Sequence, residues 1–233
     1  MALKWQGVAL VAGIAVLAAV IASLAFPPYI SIKTPIHETY MLFALYGYMF
    51  LALTTLTLPF LKELVHAFGK PFLTIHHSFA VLGIIFITLH PILNAVESFD
   101  PTVFVPDFSS WKVFWYFAGR PAFIILYASL LAALLRKKAI LHWKPFHLLI
   151  YVTLTFGIVH ANLLGSSFFD NFAITAIYDG LYAASIGAFM LKRYQNYRLK
   201  KKKQANNQIN HKNSNMNNPS SSPNNSTPLF SKV

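Results

Sequence analysis

The feature that most constrains this chain is a series of apolar stretches, each about 20 residues long, the length a helix needs to cross a hydrocarbon layer of about 30 Å. They cover residues 5–26, 39–61, 71–96, 112–135, 144–165 and 171–191. Charged residues make up only 11% of the chain, whereas a soluble domain carries roughly 25%. The sequence therefore predicts an all-α integral membrane bundle of about six transmembrane helices.

The chain divides by composition into three parts. Residues 1–38 hold the first apolar stretch and an outer loop; because Pro27 and Pro28 follow it instead of small residues, we expect a retained helix and not a cleaved signal. Residues 39–192 hold the other five stretches, and residues 193–233 form a basic segment and an Asn/Ser-rich tail. From about residue 204 the composition is typical of disorder, so we expect a disordered tail.

The distribution of basic residues predicts the orientation in the membrane. The net charge is +12, but much of it follows the last apolar stretch, where it favours contact with anionic lipid over nucleic acid. This basic cluster consists of Lys192, Arg193, Arg198 and Lys200 to Lys203. Basic loops alternate along the chain with acidic ones, the basic positions being 62, 70, 136–138 and 144 and the acidic ones 97, 100, 107 and 170. We therefore expect a multi-pass cell-membrane protein with both termini in the cytoplasm.

Two of the apolar stretches carry histidines in similar arrangements. The third contains His76, His77 and His90, and the fifth contains His147 and His160. Ionisable residues inside a membrane span are costly and indicate function. The chain has no cysteine, which excludes disulfides, thiolate-bound clusters and covalently attached haem. Any metal must therefore be bound by histidine, carboxylate or backbone groups.

The spacing of these histidines predicts two pairs at different depths. On an ideal helix His76 and His90 lie about 20 Å apart and within about 40° of each other. His147 and His160 are separated by a similar distance but by roughly 140°, so a local bend, or a ligand approached from a different side, has to absorb the difference. Because both helices run in the same direction, His76 and His147 form an inner pair, and His90 and His160 form an outer pair. Two imidazoles complete a six-coordinate haem, so we expect two b-type haems.

Several alternatives stay open at this stage. The histidines are also explained by hydrogen bonds between helices in a haem-free transporter or structural protein. His77 is a substitute ligand for His76. Arg120 needs an anionic partner inside the membrane, for which a haem propionate is one choice, while a guanidinium that reaches the interface is the other. The remaining histidines are expected to be solvated in loops or in the tail: His37, His66, His142 and His211.

These features resemble the ferric reductase-like transmembrane domain. That family includes iron reductases, the membrane part of NADPH oxidases and the membrane subunit of a bacterial methionine sulfoxide reductase. The resemblance rests on histidine pairs spaced by 14 and 13 residues and on the motif Trp143-x-x-x-His147-x-x-x-Tyr151. It covers residues 40–190. The chain departs from the family pattern at His77, where a basic residue is usual, and at Phe146, where leucine is usual.

The resemblance implies a haem-dependent oxidoreductase component in which the inner and outer pairs each bind haem b and electrons cross the membrane. A Gly-rich phosphate loop is not found after the sixth stretch. We therefore expect electrons from a separate flavoprotein, which would carry FAD or FMN, or from quinol. The expected acceptors are ferric iron, oxygen or an extracytoplasmic protein. A quinone-linked cytochrome b subunit is the alternative with the same haem ligands, and the residues themselves are not expected to be catalytic.

Overall fold

The computed structural model describes residues 3–25, 34–68, 70–135, 143–164 and 171–217, and all regular structure in these ranges is helical. The α-helices are α1 Leu3–Ala25, α2 Pro35–Thr57, α3 Leu61–Phe68, α4 Lys70–Ser98, α5 Trp111–Tyr116, α6 Gly119–Leu134, α7 Trp143–His147, α8 Leu149–Leu164 and α9 Phe172–Asn217. Short 3₁₀ helices cover Leu58–Phe60 and Pro101–Phe104. The predicted all-α class is confirmed.

Four helical segments are long and apolar enough to cross a membrane. They are Pro35–His66, Phe72–Ser98, Pro145–Leu164 and Phe172–Asn210. Two further apolar helical segments, Gly13–Leu24 and Gly119–Leu134, are shorter. The described residues thus form a helical, membrane-type protein, and the four long segments fall within the second, third, fifth and sixth predicted spans and their extensions.

Local sequence signals account for where the helices start. Thr34 precedes α2, and its hydroxyl accepts a hydrogen bond from the backbone N–H of His37 at 3.1 Å. Pro35 occupies the first turn, where its missing N–H is not needed. Ser110 caps α5 in the same way, through the N–H of Val113 at 3.2 Å. Such caps satisfy N–H groups that have no partner within the helix.

Glycines allow α2 and α4 to pack closely. A Cβ atom on Gly47 would lie 2.7 Å from Cγ1 of Ile87 and 2.8 Å from its backbone nitrogen. A Cβ on Gly83 would lie 2.9 Å from the Leu51 side chain. Small residues at helix crossings bring backbones together, which is how membrane helices gain packing contacts. The core continues from this contact to buried residues of other helices, including Ile21, Leu126, Leu154, Ile158, Ile174 and Tyr178.

Two predicted spans are interrupted. The fourth, predicted as one helix over residues 112–135, is wrong: α5 ends at Tyr116 and α6 begins at Gly119. The fifth has a one-residue break at Leu148 between α7 and α8. This break follows His147 directly, in the segment where the spacing of His147 and His160 predicted a local bend or a ligand approached from a different side. Both interruptions leave backbone carbonyls available to side chains of the candidate site.

The last helix extends beyond the expected start of disorder at residue 204. Helix α9 has 46 residues and ends at Asn217. Adding a residue to an existing helix costs far less than starting one, and the Lys and Gln residues after the apolar part are good helix formers. Residues 218–233 of the predicted tail lie outside the described residues. The chain divides into two compact units, Met1–Phe189 and Met190–Val233, and the described side chains of the second unit are almost all exposed.

Candidate functional site

The outer histidine pair lies at a cavity in the first unit. His90 on α4 and His160 on α8 both line this cavity, whose volume is about 450 Å³. The two imidazoles are close enough to interact electrostatically. Most of the wall is apolar and includes Leu45, Leu51, Ile87, Phe123, Leu154 and Ile158. The structure therefore brings together the two outer histidines that the sequence paired.

The two outer imidazoles have the same hydrogen-bonding pattern. Nδ1 of His90 lies 2.9 Å from the backbone oxygen of Tyr40, and Nδ1 of His160 lies 3.0 Å from that of Tyr116. A carbonyl oxygen only accepts hydrogen bonds, so Nδ1 carries the proton and Nε2 keeps its lone pair. A backbone carbonyl on one ring nitrogen is the usual way in which a protein orients a histidine that binds metal through the other.

The interruption of the fourth span supplies the carbonyl for His160. In a continuous helix the N–H of Arg120 would donate to the oxygen of Tyr116. It donates instead to the oxygen of Phe117 at 3.0 Å, so the Tyr116 oxygen is available to the imidazole. Gly119 directly precedes Arg120 in the chain. A Cβ atom at Gly119 would lie 2.9 Å from Nε2 of His160. The glycine therefore leaves open the space beside the nitrogen with the lone pair.

The inner histidine pair lies outside the lining of this cavity. His76 is buried, with 8% of its surface exposed, and its imidazole lies within electrostatic range of His147. Nδ1 of His76 is 3.3 Å from the hydroxyl of Thr57. His77 is exposed, and its ring centroid is 5.7 Å from that of His76. The buried member of the two adjacent histidines is thus within electrostatic range of His147.

The break at Leu148 is stabilised from α6. The N–H of Tyr151 donates to the oxygen of Leu148 at 3.1 Å and not to that of His147. The hydroxyl of Ser129, itself 1% exposed, donates to the His147 oxygen at 2.9 Å. A buried carbonyl without a donor would cost free energy. Ser129 therefore allows α7 to end at the histidine of the inner pair.

Arg120 lies in the first turn of α6 and lines the outer cavity. Because α6 begins at Gly119, Arg120 is the second residue of that helix. Its Nη1 donates to the oxygen of Val105 at 3.0 Å, and its guanidinium carbon lies 4.2 Å from the centre of the Phe117 ring. A guanidinium has five N–H donors, so these contacts leave capacity for an anionic group.

Two carboxylates of the segment between α4 and α5 lie within electrostatic range of Arg120. The backbone N–H and hydroxyl of Thr102 lower the pKa of Asp100, and Arg120 adds a smaller effect. Ser109 lowers the pKa of Asp107 in the same way, again with a smaller effect of Arg120. Both loop carboxyls are therefore ionised at neutral pH, and they place negative charge beside the mouth of the site.

The sequence missed a polar cluster at the outer end of the cavity. His37 was predicted to be a solvated loop residue, which is wrong: it lies in the first turn of α2, is half-buried and lines the cavity with Tyr40. Its Nδ1 is 2.6 Å from the Tyr40 hydroxyl and 3.3 Å from a carboxylate oxygen of Glu97, whose other oxygen accepts from Thr34. The three-residue spacing of His37 and Tyr40 could have indicated that the two side chains are neighbours on a helix. The sequence held no comparable signal for the contact between His37 and Glu97.

Three more histidines were predicted to be solvated: His66, His142 and His211. His66 is exposed, as predicted, although it belongs to α3 and not to a loop. His142 lies outside the described residues. The backbone of His211 is part of α9, where disorder had been expected.

Comparisons of the chain with protein-family models, with curated proteins and with solved structures find no match. Among the described residues, no group of three or more His, Asp or Glu side chains is placed to hold a metal ion. A haem iron takes four ligands from its porphyrin and needs only two from the protein. The paired histidines are the arrangement from which function is best inferred.

Proposed function

We propose that this chain is a membrane-embedded electron-transfer protein, similar to ferric reductase-like domains, which binds b-type haem through His90 with His160 and through His76 with His147. One observation carries the proposal: both outer imidazoles donate Nδ1–H to backbone carbonyls and line one apolar cavity. Hydrogen bonding between helices accounts for the two Nδ1 contacts but does not require an apolar cavity that both rings line.

The residues at the outer pair fit a haem. Ligand cavities in proteins commonly measure about 300–1,000 Å³, and this one measures about 450 Å³. Its apolar wall suits a porphyrin ring, and Arg120 at its edge suits a propionate carboxylate. The absence of cysteine from the chain means non-covalent attachment. When bound, haem supplies a one-electron redox centre.

The remaining parts of the chain have supporting roles in this proposal. Helix α4 carries one histidine of each pair, and these two lie about 20 Å apart along its axis; their partners are His147 on α7 and His160 on α8. Leu45 and Leu154 in the apolar wall exclude water from the outer level. Gly119 keeps the space beside His160 open. We further propose that Gly13–Leu24 and Gly119–Leu134 complete six spans, with both termini in the cytoplasm of a cell-membrane protein.

The electron donor is a separate component in this proposal. The donor is a separate flavoprotein carrying FAD or FMN, or quinol, and the acceptor is ferric iron or an extracytoplasmic protein. Reduction of the purified protein by quinol alone, without a flavoprotein, would favour the quinone-linked form of the same function.

The proposal is tested by the absorbance spectrum of the full-length protein purified from haem-replete cells. We expect a low-spin six-coordinate b-type spectrum and haem that acid acetone extracts. His90→Ala and His160→Ala should remove the outer haem, whereas His76→Ala and His147→Ala should remove the inner one. His77→Ala is the matched control and should retain both. A colourless preparation, or wild-type haem content in all four ligand variants, would contradict the proposal.

A further inference from the structure

The His37 imidazole has one nitrogen engaged and one available. Nδ1 contacts Tyr40 and Glu97, whereas Nε2 is buried and has no hydrogen-bond partner within the described part of the chain. The side chain nevertheless lines the outer cavity. A buried polar atom without a partner is uncommon in proteins, and at a cavity wall it indicates a contact that a ligand completes.

The contacts of His37 determine what kind of ligand group fits Nε2. The shortest contact of the ring is with the Tyr40 hydroxyl, which lies 2.6 Å from Nδ1. When this hydroxyl donates to Nδ1, the ring proton is at Nε2. An imidazole N–H donates to an anionic oxygen, and a carboxylate is the common example.

The position of His37 matches that of a haem carboxylate. Glu97 follows His90 by seven residues on α4, which is about 10 Å further toward the outer end of the helix. His37 contacts Glu97 and therefore lies at that level, beyond the plane of the outer histidines. Arg120 belongs to a different wall of the same cavity, α6. Two groups able to bind anions, on two helices, thus border the outer end of one apolar cavity.

We propose that His37 binds one propionate carboxylate of the outer haem, so that the two propionates are held by His37 on α2 and Arg120 on α6. This inference rests on the proposed function. Thr34, Tyr40 and Glu97 act as positioning residues in this proposal. They orient His37, and only His37 binds the propionate. His37 lies on α2, as does Tyr40, whose backbone oxygen orients His90. Haem binding is therefore connected to α2 through both residues.

The test compares two ligands on the full-length protein, haem and its dimethyl ester, in which both carboxylates are blocked. Haem-depleted protein is loaded with either ligand, and the rate at which the outer site releases it to an apo-globin is measured. The signal absent from His160→Ala identifies the outer site. We expect the diester to leave faster than haem from the wild type. In His37→Ala this rate ratio should fall about tenfold, the factor expected for one hydrogen bond.

Matched variants separate binding from folding. His66→Ala removes an exposed histidine and should leave the ratio unchanged. His37→Gln keeps an N–H donor and should restore part of the ratio, so it replaces His37→Ala if that variant does not fold. An equal acceleration of haem and diester in His37→Ala, or no acceleration of either, would overturn the inference while leaving the haem proposal intact. Failure of the wild type to bind either ligand would instead refute the proposed function.

Discussion

At Gly119, the addition of a single methyl group is enough to create a contact with the outer site. A Cβ atom there would lie 2.8 Å from Cδ2 and 2.9 Å from Nε2 of His160. Carbon atoms in ordinary contact are about 3.5–4.0 Å apart, so in Gly119→Ala the imidazole has to retreat by roughly 0.7–1.2 Å. We predict that this substitution weakens the outer haem site and leaves the inner one unchanged.

The magnitude follows from what holds the ring in place. Nδ1 of His160 is hydrogen-bonded to the Tyr116 oxygen at 3.0 Å, so the ring cannot move by this amount without weakening that bond. Overpacking of one methyl group costs about 1–3 kcal/mol. If the cost falls on the ligand-bound state, the affinity of the outer site for haem decreases about 5- to 150-fold.

The assay is a haem titration of the purified variant, with the outer haem identified by the low-spin signal that His160→Ala lacks. Gly187→Ala is the matched control, because a Cβ atom at that helical glycine meets nothing within 4 Å. Both substitutions add one methyl group to a helical glycine, and only the one at Gly119 creates a contact with His160. Wild-type affinity and an unchanged spectrum in Gly119→Ala would refute this account of the outer site.

Three further predictions follow from the structure. Gly47→Ala should destabilise the packing of α2 on α4 by about 1–3 kcal/mol, because the new Cβ meets the Ile87 backbone. Thermal unfolding in detergent measures this loss, and an effect no larger than that of Gly13→Ala would contradict the prediction. Ser129→Ala should cost about 1 kcal/mol and disturb the inner haem signal alone, since it removes the donor to the His147 oxygen; an altered outer signal would count against it. Asp107→Cys should be labelled by impermeant reagents only from outside right-side-out vesicles, and labelling only from the cytoplasmic side would reverse the proposed topology.

Much of the fold was predictable because it depends on local composition. Apolar stretches of about 20 residues are sufficient to predict membrane-type helices, and the four long helical segments lie where these stretches do. The pairing of His90 with His160 was also predictable, since depth depends only on the rise per residue and the direction of two helices. The extent of α9 was not, because composition alone does not show how far an established helix continues.

The tertiary structure alone decided which groups surround each histidine. The Tyr40 oxygen lies 50 residues from His90 in the chain, the Tyr116 oxygen 44 residues from His160, and Glu97 60 residues from His37. Such contacts depend on which helices pack together and at what rotation, which local patterns do not encode. The breaks after Tyr116 and His147 belong to the same category, because each is stabilised by a partner on another helix. The sequence by itself determined the histidines and their spacing along the helices, whereas helix packing decided the orientation of their rings, the cavity that His90 and His160 line and the place of His37 in its wall.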